Sequence, residues 1–260
     1  MDPATFIGLA IAFGAIFLAV ILEGSSPLVI MLLPPILLVL GGTFGAAVAG
    51  GLLQDTLGLV HWVKVAFMSK NVAPDESVAI LVSLAEKARR EGLLALEDGI
   101  REVEDDFLKL GLELAVDGTD ADELREILEA EVASKRAADK VGAGFFTAMG
   151  GYAPTVGIIG TVFGLIHVLE NLSDPEKLGH LIAAAFVATL WGVMSANVIF
   201  LPMAAKIKRI SELECTRMTV VIEGVLAIQS GANPRLVAHK LRSLSPAKPG
   251  KPGKAAEEAA

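Results

Sequence analysis

Two long uncharged runs in the second half of the chain carry hydroxyls and amides: Thr155 and Thr161 in the first, and Thr189, Ser195 and Asn197 in the second. A threonine hydroxyl ligates a sodium ion or hydrogen-bonds a carboxylate, but it does not titrate near neutral pH. Neither run contains an internal Asp, Glu, Lys or Arg, the groups that ordinarily mark an ion pathway through hydrocarbon. An ion crossing beside these threonines therefore needs a carboxylate supplied by another chain. The competing use of the same hydroxyls is to bridge neighbouring helices or to bond their own backbone carbonyls. His167, within a turn of Glu170, reads as an interfacial histidine without a transport role.

Other chemistry is excluded or unsupported. Cys215 is the single cysteine, which rules out an intrachain disulfide and a CxxC or Cys/His zinc site. His61, His167, His180 and His239 are too scattered to suggest a metal cluster. No Ser/His pair, paired carboxylates, HExxH or Gly-rich phosphate loop after a strand is present, so no catalytic residue, metal or cofactor is assigned and an enzyme is not expected. No basic stripe interleaved with aromatics suggests nucleic acid.

The elements that must position the threonines are membrane helices. The chain has 260 residues, 53% of them hydrophobic, a mean hydropathy of +0.59, and a net charge of −8 set by residues in the middle and at the end. A helix of about 20 apolar residues crosses a hydrocarbon core of roughly 30 Å. The uncharged runs 3–22 and 28–53, joined by the tight turn Glu23-Gly24-Ser25-Ser26-Pro27, predict a first hairpin within 1–59. The runs 141–169 and 178–205 predict a second within 141–205. No Lys or Arg precedes Lys64, so the first run reads as a retained anchor rather than a signal peptide. Of the 22 Lys and Arg residues, 11 lie from Lys64 to Lys140 and 10 from Lys206 onward, with only Lys177 elsewhere. The positive-inside rule then puts 60–140 and the C-terminal helix 206–244 in the cytoplasm and both short turns outside.

The fold expected is thus all-α: four transmembrane helices in two hairpins, a cytoplasmic helical insert and a cytoplasmic C-terminal helix. Within the insert, apolar periodicity predicts helices over 76–87, 97–114 and 121–140. Residues 245–260, rich in Pro, Gly and Lys, are expected to be disordered. Gly157, Gly160 and Gly164 in the third span, with Ala183, Ala184, Ala185, Ala188 and Gly192 in the fourth, favour tight helix packing, including with other subunits. Pro154 and Pro202 restrict the two spans near opposite ends, as tolerated kinks or as hinges, and Pro34-Pro35 suggests a bend in the second span.

The segment Tyr152-Ala-Pro-Thr-Val-Gly-Ile-Ile-Gly-Thr-Val-Phe-Gly-Leu-Ile-His167, followed by Ala185-Phe-Val-Ala-Thr-Leu-Trp-Gly192 up to Pro202, resembles the MotA and PomA family of flagellar stator subunits, which is related to ExbB and TolQ. The resemblance covers about residues 1–240 and includes span order, insert size and topology. In the insert, Arg89-Arg90-Glu91-Gly92-Leu93-Leu94-Ala95-Leu96-Glu97 looks like that family's cytoplasmic Arg-x-x-Gly motif followed by Glu. Without the resemblance these would be ordinary surface charges.

The resemblance implies a multi-pass protein of the bacterial inner membrane. Five copies surround two copies of a MotB-like partner whose single span supplies the ion-binding Asp. It implies a FliG-like rotor contact at Arg89 and Glu97, with Arg90 and Asp98 adjacent, an ion path past Thr155, Thr161 and Thr189, and torque coupling at Pro154 and Pro202. Thr161 and Thr189 match the threonine pair of sodium-driven members, while the related proton-driven ExbB and TolQ proteins carry threonines there as well; the cargo is sodium or a proton. Two other readings are an ExbB/TolQ-type energiser of a periplasmic process and a small-solute secondary transporter. The additional N-terminal hairpin and the Arg89 to Glu97 motif disfavour the first, and the lack of recognisable repeats disfavours the second.

Overall fold

A computed structural model describes residues 3–68, 74–101 and 103–244. Its helices are α1 (Ala4–Leu22), α2 (Leu33–Ala49), α3 (Leu53–Leu57), α4 (Leu59–Met68), α5 (Pro74–Glu91), α6 (Glu97–Ile100), α7 (Asp106–Val116), α8 (Ala121–Glu170), α9 (Pro175–Met194), α10 (Leu201–Gln229) and α11 (Pro234–Leu244). No strand occurs among the described residues. The chain forms two compact units, 1–71 with 138–209, and 72–137 with 210–260.

In the first unit, α1 is uncharged and apolar all round, with no buried residue in the isolated chain, the pattern of a helix solvated by lipid or by other subunits. Among the described residues, three helical segments are long and apolar enough to cross a membrane: Ala4–Leu22, Ala121–Glu170 and Pro175–Gln229. Two apolar helices are shorter, α2 and α4; α2 has 17 residues, about 25 Å at 1.5 Å per residue. Helix α2 begins at Leu33, so Pro34-Pro35 lies in its first turn. There the backbone N–H groups lack intrahelical partners, and two missing donors cost little. The prolines therefore start a helix instead of bending one, and the residues before them, Pro27–Ile30, form a 3₁₀ turn capped by Ser26. A core of Phe145, Phe146, Met149, Ala153, Phe200 and Met203 lies beside a second cluster of Val39, Val187, Ala188, Trp191 and Met194.

In the second unit, α5 ends at Gly92, whose φ of +89° and ψ of 165° are open essentially to glycine alone. A 3₁₀ turn, Leu93–Leu96, then leads into α6. The single helix expected over 97–114 is broken because Asp105 caps α7, its Oδ1 accepting the backbone N–H of Phe107 at 3.0 Å and Leu108 at 3.2 Å. That local bond offers the backbone an alternative to continuing the helix. Leu81, Leu96, Leu108, Leu112, Leu124 and Leu128 are fully buried with Val220, Val221 and Leu241. Each such side chain contributes roughly 1.5–3 kcal/mol by leaving water.

Two helices run further than their sequence segments suggest. The insert helix 121–140 and the span 141–169 are one helix of 50 residues, since nothing between Lys140 and Val141 caps or breaks it. The expected fourth span and much of the expected C-terminal helix are likewise continuous through a π turn, Ser195–Phe200. The break comes later, at Gly231 with φ +66°, between α10 and α11. The C-terminal segment 245–260 lies outside the described residues.

Candidate ion-path and contact sites

The threonine site is built where α8 and α9 cross in the first unit. Small residues pair along the crossing like rungs. A Cβ added at Gly157 would stand 2.9 Å from the Ala188 carbonyl oxygen and 3.1 Å from the Gly192 Cα. One added at Gly192 would stand 2.6 Å from the Ala153 carbonyl oxygen. At Gly160 and Gly164 it would meet the Cβ atoms of Ala188 and Ala185, at 2.7 and 2.5 Å. Real Cβ atoms essentially never come within 3.0 Å of another heavy atom, so the two backbones touch only because these positions carry no side chain.

That closeness brings Thr161 and Thr189, both half-buried, into direct hydroxyl–hydroxyl contact. The Thr161 Oγ1 also lies 3.2 Å from the Gly157 carbonyl and 3.1 Å from the Ala185 carbonyl. Four oxygens thus converge on one point between the helices, with two rotatable protons among them. The set can hydrogen-bond a carboxylate or offer hydroxyl and carbonyl ligands to a cation; it contains no group able to hold or release a proton near neutral pH. Among the described residues no cluster of three His, Cys, Asp or Glu could hold a metal ion.

The other sequence candidates fall elsewhere. Thr155 is exposed and its hydroxyl donates to the carbonyl of Tyr152 in its own helix at 2.7 Å, so it does not join the Thr161–Thr189 pair. Pro154 sits inside α8, next to Ala153, whose carbonyl faces Gly192. Pro202 follows the π turn, in which Ser195 is fully buried and donates to the Gly192 carbonyl at 3.3 Å. His167 and Glu170 are exposed at the end of α8, 3.9 Å apart. One residue escaped the sequence reading: the buried Trp191 indole donates to the Ile30 carbonyl at 2.6 Å, tying α9 to the 3₁₀ turn before α2. Its signal was a lone polar donor in an apolar run, which needs a partner when buried.

In the second unit, Arg89 and Arg90 occupy the last turn of α5 and Glu97 and Asp98 the start of α6. All four are exposed around the Gly92 corner, and Leu94 between them is 70% exposed. Buried Ala88, Leu96 and Ile100 hold the corner from beneath. Two ion-pair groups brace the helices nearby. Glu223 of α10 accepts from Arg125 of α8 at 2.7 Å and from Lys240 of α11 at 2.6 Å. Burial alone would raise its carboxyl, but these cationic hydrogen bonds outweigh it and hold the group below the usual carboxylate value. Arg217 of α10 pairs with Asp105 and donates to Glu214 at 2.7 Å; burial lowers its guanidinium from the ordinary value.

Residues 100–220 match the model of the MotA/TolQ/ExbB proton channel family. The chain is 39% identical over 249 residues to Motility protein A of Bacillus subtilis, covering 95% of this chain and 92% of that protein. It superposes on the structure of C. jejuni MotAB with a TM-score of 0.91 at 32% identity, over 97% of this chain and 98% of the other. On the flagellar MotAB stator complex from Bacillus subtilis the TM-score is 0.88 at 37% identity, over 100% of both chains.

Proposed function

The chain belongs to the motility protein A branch of the MotA/TolQ/ExbB proton channel family, and from that premise we propose that it is a flagellar stator subunit, not an enzyme, which turns ion flow into torque on a rotor. The observation that carries the reading is the Thr161–Thr189 contact, an oxygen cluster at the α8–α9 crossing with no carboxylate of its own. Such a site is half of an ion path, and a MotB-like single span carrying an Asp is the half it lacks.

In this mechanism the hydroxyls of Thr161 and Thr189 orient the partner's carboxylate while it is ionised. Ion binding discharges the carboxylate and weakens those hydrogen bonds, because charge-assisted bonds are about twice as strong as neutral ones. The ring of five copies then advances to the next threonine pair. Thr155 sits on the exposed side of the same helix, available to a neighbouring chain. Pro154 and Pro202 are places where helix bonding is interrupted, and the proposal makes them the points that flex as the ring turns.

The arrangement in the inner membrane that we propose has hairpins in 1–59 and 141–205, with the insert 60–140 and the helix 206–244 on the cytoplasmic side. The distribution of Lys and Arg supports it. Arg89, Arg90, Glu97 and Asp98 then face the cytoplasm, where a FliG-like rotor protein meets them through complementary charge.

Co-expression with the cognate MotB-like partner in a flagellated host lacking stators tests the whole reading. Swimming should return. Replacing sodium by potassium at fixed pH then names the cargo: swimming that stops without sodium assigns the threonine pair to a sodium path, and swimming that persists assigns it to protons. No swimming from a verified membrane complex would shift the function to an ExbB/TolQ-type energiser.

A further inference from the structure

The segment that presents Glu97 and Asp98 is fastened to the long helix behind it through one carboxylate. Asp105 uses both of its oxygens: Oδ1 caps α7 through the N–H groups of Phe107 and Leu108, and Oδ2 receives Arg217 of α10. The Arg217 fork closes on Glu214 with its other nitrogen, and its side chain is only 13% exposed. The corner's 3₁₀ turn and α6 pack against α7. A load applied at Glu97 and Asp98 therefore has a direct route to α10 through α7, beside the apolar route through α5.

Apolar packing supports that contact but is non-directional, and it resists sliding of one helix along another poorly. A guanidinium fork fixed between two carboxylates is directional and sets a single register. Nor does the unit need the pair for bulk stability. The fully buried Leu108 and Leu112 already sit in the core with Val225, and buried ion pairs add little compared with apolar residues of the same volume.

Resting on the rotor-contact reading above, we propose that Asp105 and Arg217 are positioning residues that lock the rotor-contact corner to α10, so that torque is transmitted through their ion pair. The pair touches neither the ion nor the rotor. Its loss should uncouple ion flow from torque without blocking ion flow.

The test uses the full chain co-assembled with its MotB-like partner. Asp105→Asn retains the Oδ1 acceptor and the α7 cap and removes the charge that holds Arg217; Arg217→Lys retains the charge and removes the fork. Both should assemble and conduct ions normally while losing stall torque. Amide hydrogen exchange over residues 93–101 should accelerate roughly tenfold, the effect of losing one charged hydrogen bond, with no change around Val220 and Val221. Full torque in both variants would overturn the proposal, and so would ion flow lost in parallel with torque, which signals general unfolding. The double variant Arg89→Glu with Glu97→Lys separates the two readings. If it keeps full torque, the rotor contact itself is wrong; if it loses torque while Asp105→Asn does not, only the clamp falls.

Discussion

Adding one methyl group at the α8–α9 crossing tests whether backbone contact there sets the geometry of the proposed ion path. In Gly192→Ala the new Cβ would stand 2.6 Å from the Ala153 carbonyl oxygen and 3.0 Å from the Gly157 Cα. Optimal heavy-atom contacts lie near 3.5 Å, so the helices must part locally by about 0.9 Å, and both neighbours are backbone atoms that cannot swing away. Overpacking of this kind costs about 1–3 kcal/mol. The same displacement shifts the Thr189 hydroxyl, one turn away, relative to Thr161 and disturbs the set of four oxygens. Gly192→Ala should therefore lower the thermal midpoint of the purified complex and reduce swimming speed, with the ion dependence of speed altered as well. Gly179→Ala, on the same helix with nothing within 4 Å of its Cβ, is the control and should change neither. If Gly192→Ala swims like the parent with an unchanged midpoint, the crossing is not held by backbone contact, and the threonine geometry built on it is wrong.

Other perturbations reach different parts of the molecule. Thr189→Ala removes one of the two converging hydroxyls; membrane insertion should be normal and torque lower, measured across a range of ion concentrations. Gly92→Ala forces a side chain into a conformation with φ +89° at about 1–3 kcal/mol, so the corner carrying the proposed rotor contact should loosen and stall torque should fall while ion flow persists. Glu223 has a carboxyl depressed by Arg125 and Lys240, so its stabilisation is complete above the unfolded value of about 4.3 and disappears as pH falls through the lower folded value. Glu223→Gln should flatten the acid limb of a thermal-stability profile by up to about 1 kcal/mol, since Arg125 and Lys240 are 40% and 57% exposed. An unchanged acid limb would mean that the pairs with Arg125 and Lys240 add nothing to stability.

The features that local rules govern were legible in the sequence. An uncharged stretch of membrane length has few choices besides a helix, and α1 spans Ala4–Leu22 within the run 3–22. The Thr161–Thr189 pair was visible as residue types, because hydroxyls stand out against Val, Leu and Gly. Their meeting was not, since it depends on Gly157 and Gly192, 35 residues apart, touching across two helices. Periodicity alone also misplaced breaks. It read 97–114 as one helix because the apolar pattern continues through Asp105, whose side chain turns back to cap α7. It divided 121–169 at residue 140 because composition changes there, although a change from charged to apolar surface does not end a helix. The Asp105–Arg217 pair joins residues 112 positions apart, beyond the reach of any local pattern.

The π turn before Pro202 gives that proline a physical setting the sequence lacked. Pro202 cannot donate to the carbonyl four residues earlier, Val198, and its ring crowds that carbonyl. The turn immediately before it, Ser195–Phe200, adopts wider π bonding instead of α bonding, which relieves the crowding and leaves weaker hydrogen bonds in a helix otherwise continuous from Pro175 to Gln229. Thr189 lies before this turn and Arg217 after it, on the same run of backbone. In the proposed mechanism, a displacement at Thr189 that travels along this backbone passes through the turn. Bending concentrates where bonding is weakest, so the segment from Ser195 to Pro202 is where this long helical run should flex in the proposed mechanism, and Ser195, fully buried and bonded back to the Gly192 carbonyl, stands at the start of that segment.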